Sequence, residues 1–174
     1  MRHRFARGTM PDTMTQETGM YKSILVPLDG SEASDDALQQ AIGVARGDTA
    51  TLHLLHVIDS FPVMFELSAQ TSFETMKQSL RSWSEGMLET ARRKAAEQGV
   101  NAQVIVRELV TGRVSDTIVD VAREAACDLI VMGTHGRRGL RRMMLGSDAE
   151  SVVRTCRIPV LLVPQRLDAK PAAR

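Results

Sequence analysis

Two textures alternate along the chain from Tyr21 onward: short β-branched apolar runs, and longer stretches with apolar residues three and four apart. SILVPLD (Ser23–Asp29) is continuously apolar, as a strand buried on both faces would be. In GSEASDDALQQAIGVARG, Ser31 is placed to cap a helix and acids fill the first turn. Ala37, Leu38, Ala41, Ile42 and Ala45 make one stripe, and Gly47 is the expected stop. TATLHLLHVID (Thr49–Asp59) predicts a second strand. After the irregular SFPVMFELSAQTSF, a long helix is expected to run to about Gln98, where Gly99 caps it. Its inward face would be Phe73, Met76, Leu80, Trp83, Met87, Ala91 and Ala95.

NAQVIVREL (Asn101–Leu109) alternates, which predicts a strand nearer an edge. TGRVSDTIVDVAREAA predicts a helix with Ile118, Val121, Ala122 and Ala125 inward. CDLIVMG is a fourth buried strand, and Ser147 to Arg154 a last helix. RIPVLLVPQ (Arg157–Gln165) is a fifth strand, with prolines near both ends that suit a sheet edge. Strands alternating with helices give an α/β fold, a parallel sheet with helices on both faces. Right-handed crossovers leave few topologies. The expected one is a five-stranded parallel doubly wound sheet of order 3-2-1-4-5. Its winding reverses between the first and fourth strands, and ligands bind outside the strand ends at such a reversal. Asp29 and Gly133 would then face one crevice.

The stretch LIVMGTHGRRGLRRMMLGSDAESVV sets Gly133, Gly136 and Gly139 three apart after the fourth strand. Glycines there let backbone approach a ligand closely. Gly146 and Ser147 open a helix whose free N–H groups and dipole favour an anion. The loop reads either as a phosphate cradle or as a flexible turn with several glycines. Arg137, Arg138, Arg141 and Arg142 would pair with phosphates or stay solvated. His135 would contact phosphate or stand by. Ser147 would cap the helix or donate its hydroxyl to a phosphate. The loop contains no G-x-x-x-x-G-K-S/T and no G-x-G-x-x-G, so neither the P-loop nor the dinucleotide fingerprint applies.

KSILVPLDGSEAS, LHLLHVID, ACDLIVMGTHGRRGL, MMLGSDAESVV and IPVLLV together resemble the universal stress protein family, over nearly all of Tyr21 to Pro164. The most specific element is G-2x-G-9x-G-S/T, met in full by Gly133, Gly136, Gly146 and Ser147. In that family this motif marks the ATP-binding branch, with an adenine-nucleotide alpha-hydrolase-like fold. The resemblance implies that Pro27 and Asp29 line the adenosine side, and that Val57 meets adenine through backbone groups. It also implies that Gly133, Gly136, Gly146 and Ser147 wrap the ribose and phosphates, with Thr134, His135, Arg137 and Asp148 in the same loop system. Asp148 departs from the apolar residue that archaeal-type ATP binders tend to have. It would partner the helix dipole, or recruit Mg²⁺ alongside the nucleotide.

Composition narrows the partners. Among 174 residues, 43% are hydrophobic, 25% charged and only 3% aromatic, so the core must be aliphatic. A formal charge of +1 and the lack of a stacking platform argue against nucleic acid. No apolar run approaches the roughly 18 residues of a membrane span. The first 20 residues lack a signal-like apolar core and are expected to be a disordered extension. Met10, Met14 and Met20 are alternative starts. Residues 21–165 would form the single domain and 166–174 a flexible tail. Cys127 and Cys156 fit no metal or redox spacing, which predicts reduced, buried thiols in a cytoplasmic protein. His53 and His56 are expected in core or sheet-surface roles.

The favoured function is an ATP-binding stress-response or signalling regulator. It would act through partner binding and a homodimer formed by the last strand (Ile158, Val160, Leu162). The alternatives are a dimeric interaction protein without nucleotide, or a slow ATPase or autophosphorylating protein with Thr134 or Ser147 as acceptor. No nucleophile elbow, metal constellation or paired-acid arrangement is present, so enzymatic activity is expected to be absent or limited to slow hydrolysis.

Overall fold

The computed structural model describes residues 19–46, 49–59, 70–136 and 145–165, with backbone alone at 70–73. The expected extension and tail lie outside these residues apart from Gly19 and Met20, as do Gly47 and Arg137 to Arg142. The strands are β1 (Ser23–Pro27), β2 (Thr51–Asp59), β3 (Asn101–Leu109), β4 (Leu129–Gly133) and β5 (Val160–Val163). The helices among the described residues are α1 (Glu32–Ala45), α2 (Gln70–Ala96), α3 (Val114–Glu124) and α4 (Ser147–Thr155). All strand pairs are parallel and the order is β3-β2-β1-β4-β5, as the sequence predicts.

Side chains alternate across the sheet and build two core layers. Ile24, Val26, Leu52, Leu54, Leu129 and Val131 pack on one face against Leu38, Ala41 and Ile42 of α1 and Leu88, Ala91 and Ala95 of α2. Leu25, Leu55, Ile130 and Met132 pack on the other face against Ile118 and Val121 of α3 and Ala149 and Val152 of α4. Ser31 caps α1 as expected, its side chain accepting from the Ser34 N–H at 3.2 Å. Gly99, with φ of 76°, follows α2 where the cap was expected.

The face of α2 differs from the prediction. Ala91 and Ala95 are buried, but the other fully inward positions are Ser84 and Leu88. Leu80 and Met87 are half-buried, whereas Met76 and Trp83 are 42% and 47% exposed. Ser84 hid the true stripe because it is polar. It is satisfied inside by donating to the Leu80 carbonyl at 2.7 Å. Cys127 is buried as expected, and Cys156 only half-buried; both are free thiols.

The central pair β1–β4 is closed at one end and open at the other. At the closed end, the Asp128 carboxylate accepts from the Lys22 and Ser23 N–H groups at 2.8 and 3.1 Å. β1 and β4 then pair at Ile24–Leu129 and Leu25–Ile130. Past that point β1 continues on β2 as far as Pro27, and β4 continues on β5 as far as Gly133. The strands therefore part at the winding reversal, at their C-terminal ends.

Leu88→Ala is expected to cost about 2–5 kcal/mol in urea unfolding, and Met76→Ala well under half of that. His53 Nδ1 is buried without a hydrogen bond among the described residues, and burial lowers the His53 pKa below its usual 6.5. The unfolded chain thus takes up that proton first. Stability from this group is full above about pH 6.5 and is lost as the pH falls from there toward the folded-state value. His53→Gln should flatten that part of the slope in urea midpoints measured across it.

Candidate functional site

The parting of β1 and β4 opens a crevice of about 490 Å³. Its walls come from the ends of β1, β2 and β4, the starts of α1, α3 and α4, and the turn after β4. Every sequence-predicted site residue within the described chain lines it: Pro27, Asp29, Val57, Gly133, Thr134, His135, Gly136, Gly146, Ser147 and Asp148. Arg137 lies outside the described residues.

Asp29 sits two residues beyond β1. Its Oδ1 accepts from the Ser31 N–H at 3.0 Å and from the Ser31 hydroxyl at 2.6 Å. Ser31 in turn accepts from the Ser34 N–H, so the carboxylate is tied to the first turn of α1. The other oxygen meets the turn after β4: a Cβ on Gly136 would lie 2.7 Å from Asp29 Oδ2. The carboxylate and that turn therefore border the same hollow, as the topology predicts.

The other two motif glycines serve different contacts. A Cβ on Gly133 would fall 2.9 Å from the Ala33 carbonyl carbon and oxygen, so this glycine lets α1 pack on the end of β4. Gly133 borders the crevice, but Ala33 is what requires its missing side chain. Gly146 donates its N–H to the Thr134 carbonyl at 2.8 Å, and a Cβ there would stand 3.1 Å from the same oxygen. Thr134 is itself held by its N–H to the Val163 carbonyl at 3.0 Å. The two ends of the loop are thus stapled beside β5.

Gly146, not Ser147, is the N-cap of α4, and no side chain caps it. Ser147 and Asp148 are exposed in the first turn, where N–H groups have no partner within the helix. The helix end can therefore present N–H donors and positive dipole to an anion. Asp148 and Glu150 already place negative charge on that turn. The His135 ring borders the crevice, but Nδ1 is 3.0 Å from the Thr134 hydroxyl. Its Nε2 is shut off from solvent and unpaired among the described residues.

Val57, Val114, Ile118 and Met132 give part of the lining an apolar surface suited to a flat ring. Val114 and Ile118 escaped the sequence reading because they stand on α3, remote from any motif. Asp59 and His56 were also missed as site residues. Asp59 had a usable signal, being an acid at the C-terminal end of a parallel strand, like Asp29. His56 had none, since on β2 it reads as a core position. Among the described residues, no group of three or more His, Cys, Asp or Glu side chains is arranged to hold a metal by itself. No described helix is long and apolar enough to cross a membrane.

Comparison with known proteins adds to this geometry. The model of the universal stress protein family matches residues 20–164. The universal stress protein MJ0531 of Methanocaldococcus jannaschii is 37% identical over 144 residues, covering 83% of this chain and 82% of that protein. The solved structure of MJ0577, from the same organism, superposes with a TM-score of 0.75 at 28% identity, covering 85% of this chain and 99% of that one. A universal stress protein from Archaeoglobus fulgidus, solved in complex with dAMP, shares the fold with a TM-score of 0.56 at 21% identity, over 82% of this chain and 98% of that one. With its sheet order, its crevice at the strand reversal and these matches, the chain belongs to the universal stress protein family.

Proposed function

We propose that this protein binds an adenine nucleotide, ATP, in the crevice, and that it works as a stress-response or signalling regulator whose partner contacts depend on that binding. The observation that carries this is the meeting of Asp29, Gly136 and the uncapped start of α4 around one hollow. A nucleotide needs an apolar slot for its base and N–H donors for its phosphates. Val57, Val114 and Ile118 supply the first, and the first turn of α4 the second. Pro27 and Asp29 would stand on the adenosine side. Gly136, Gly146 and Ser147 would stand along the ribose and phosphates, with Thr134, His135 and Arg137 in the same loop system. The Archaeoglobus protein with dAMP shares only the fold at its level of identity, so the reading rests on the crevice.

Mg²⁺ fits as a companion of the nucleotide. Phosphate oxygens would provide most of its ligands, and Asp148 a carboxylate beside them. We place the protein in the cytoplasm, where two free thiols are stable. A homodimer through β5 belongs to the same reading. β5 is an outer strand of the sheet, and Leu161 on it is 38% exposed. Ile158, Val160 and Leu162 pack half-buried against the chain's own second core layer. The pairing would therefore use the strand's edge, with Leu161 beside it.

Calorimetry on purified protein should give saturable ATP binding, and denaturation should release an adenine nucleotide identifiable by mass spectrometry. Gly136→Val drives a branched side chain against the Asp29 carboxylate. It should weaken ATP binding by about tenfold or more, roughly 1.4 kcal/mol or more, with an unchanged circular dichroism spectrum. Wild-type affinity in that variant would refute the placement of the site. In sedimentation, the wild type should run as a dimer and Leu161→Lys should shift it toward monomer.

A further inference from the structure

The segment from Leu28 to Ser34 separates two hollows. One is the crevice. The other is an open groove of about 500 Å³ between α1 and α2, whose lining includes Gly30, Asp35, Trp83, Met87 and Lys94. Leu28 and Ser34 border both. The wall between them carries Asp29, and two rings hold it in place.

The first ring is His56, buried on β2. Its Nδ1 stands 2.6 Å from the Leu28 carbonyl oxygen. A carbonyl only accepts, so Nδ1 carries the hydrogen and donates it. The Leu28 N–H donates to the Leu55 carbonyl at 2.7 Å. Both backbone polar groups of Leu28 are thus fastened to β2. The second ring is Trp83 on α2, which meets His56 edge-on with centroids 5.5 Å apart and planes at 71°. The same indole covers Gly30, whose φ is +81°. A Cβ on Gly30 would lie 3.2 Å from Trp83 Cη2 and 3.3 Å from Met87 Sδ. Asp29 stands between these two held residues, with one oxygen on Ser31 and the other toward Gly136.

We propose that His56 and Trp83 are positioning residues for the nucleotide site: they fix the Leu28–Gly30 backbone and so the Asp29 carboxylate, and filling the crevice alters the surroundings of Trp83 across the shared wall. This rests on the nucleotide reading given above. A ligand that draws on Asp29 loads a turn tied to one ring and packed on the other. Trp83 is the chain's single tryptophan and is 47% exposed, so its emission responds to small changes in packing and solvent.

The test titrates the purified protein with ATP, following heat and tryptophan emission together. The expected result is a saturable emission change with the same midpoint as the heat. His56→Leu should bind at least about fivefold more weakly. His56→Gln, whose amide can still donate to the Leu28 carbonyl, should recover most of that loss. Trp83→Ala should weaken binding and Trp83→Phe should not, which keeps the test in hand if His56→Leu folds poorly. In nucleotide-free protein, the Ser31 amide should exchange faster in His56→Leu than in His56→Gln, with the middle of α1 unchanged. Binding heat without an emission change, or His56→Leu with wild-type affinity and exchange, would overturn the proposal. Neither heat nor emission change in the wild type would overturn the nucleotide reading and this coupling together. The exchange rates separate the two failures, because they report the hold on the turn without any ligand.

Discussion

Beyond Leu25 and Ile130 the two central strands stop bonding to each other, and each turns its remaining backbone groups to its outer neighbour. The crevice depends on this parting. A continuous β1–β4 ladder would fill the space between Pro27 and Gly133 with paired backbone. The clamp of Asp128 on Lys22 and Ser23 holds the other end shut, so the opening occurs at the C-terminal edge alone. The first turns of α1 and α4 meet there, the one capped by Ser31 and the other with no side-chain cap on its N–H groups.

The three motif glycines are separate answers to three neighbours. Gly133 yields to the Ala33 backbone, Gly136 to the Asp29 carboxylate, and Gly146 to the Thr134 carbonyl. Of these contacts, the one at Gly136 joins the loop to Asp29, two residues beyond β1. The spacing of the motif therefore records the packing of the site's own walls as much as any ligand. A substitution at Gly133 would disturb the seating of α1 before it reached a nucleotide, whereas one at Gly136 acts directly at the carboxylate.

Much of the architecture was legible because the strands are plain. Continuous runs such as SILVP and LIVMG have few alternatives, and strand–helix alternation with right-handed crossovers leaves few strand orders to choose among. The face of α2 was harder to read. A buried serine that bonds to its own helix looks polar in sequence, and Met76 and Trp83 look inward although both are exposed, Trp83 on the outer groove. In the site, residues on motifs or at strand ends were found, Asp29 and Gly136 among them. Val114 and Ile118 were not, because only the crossover after β3 brings α3 over the crevice. His56 was missed for a similar reason: its hydrogen bond to Leu28 joins positions 28 residues apart, which no local pattern records.

The bond between the Gly146 N–H and the Thr134 carbonyl makes neighbours of two residues twelve positions apart. Since Thr134 is also bonded to β5, the helix start and the strand end share a fixed base whatever path the chain follows between them. Lengthening such a closed excursion costs little, only about 0.6 kcal/mol for each doubling. The intervening stretch can thus diverge in length and charge without moving the start of α4 relative to Asp29. Selection can rewrite that stretch while the anchorage at its two ends keeps its dimensions.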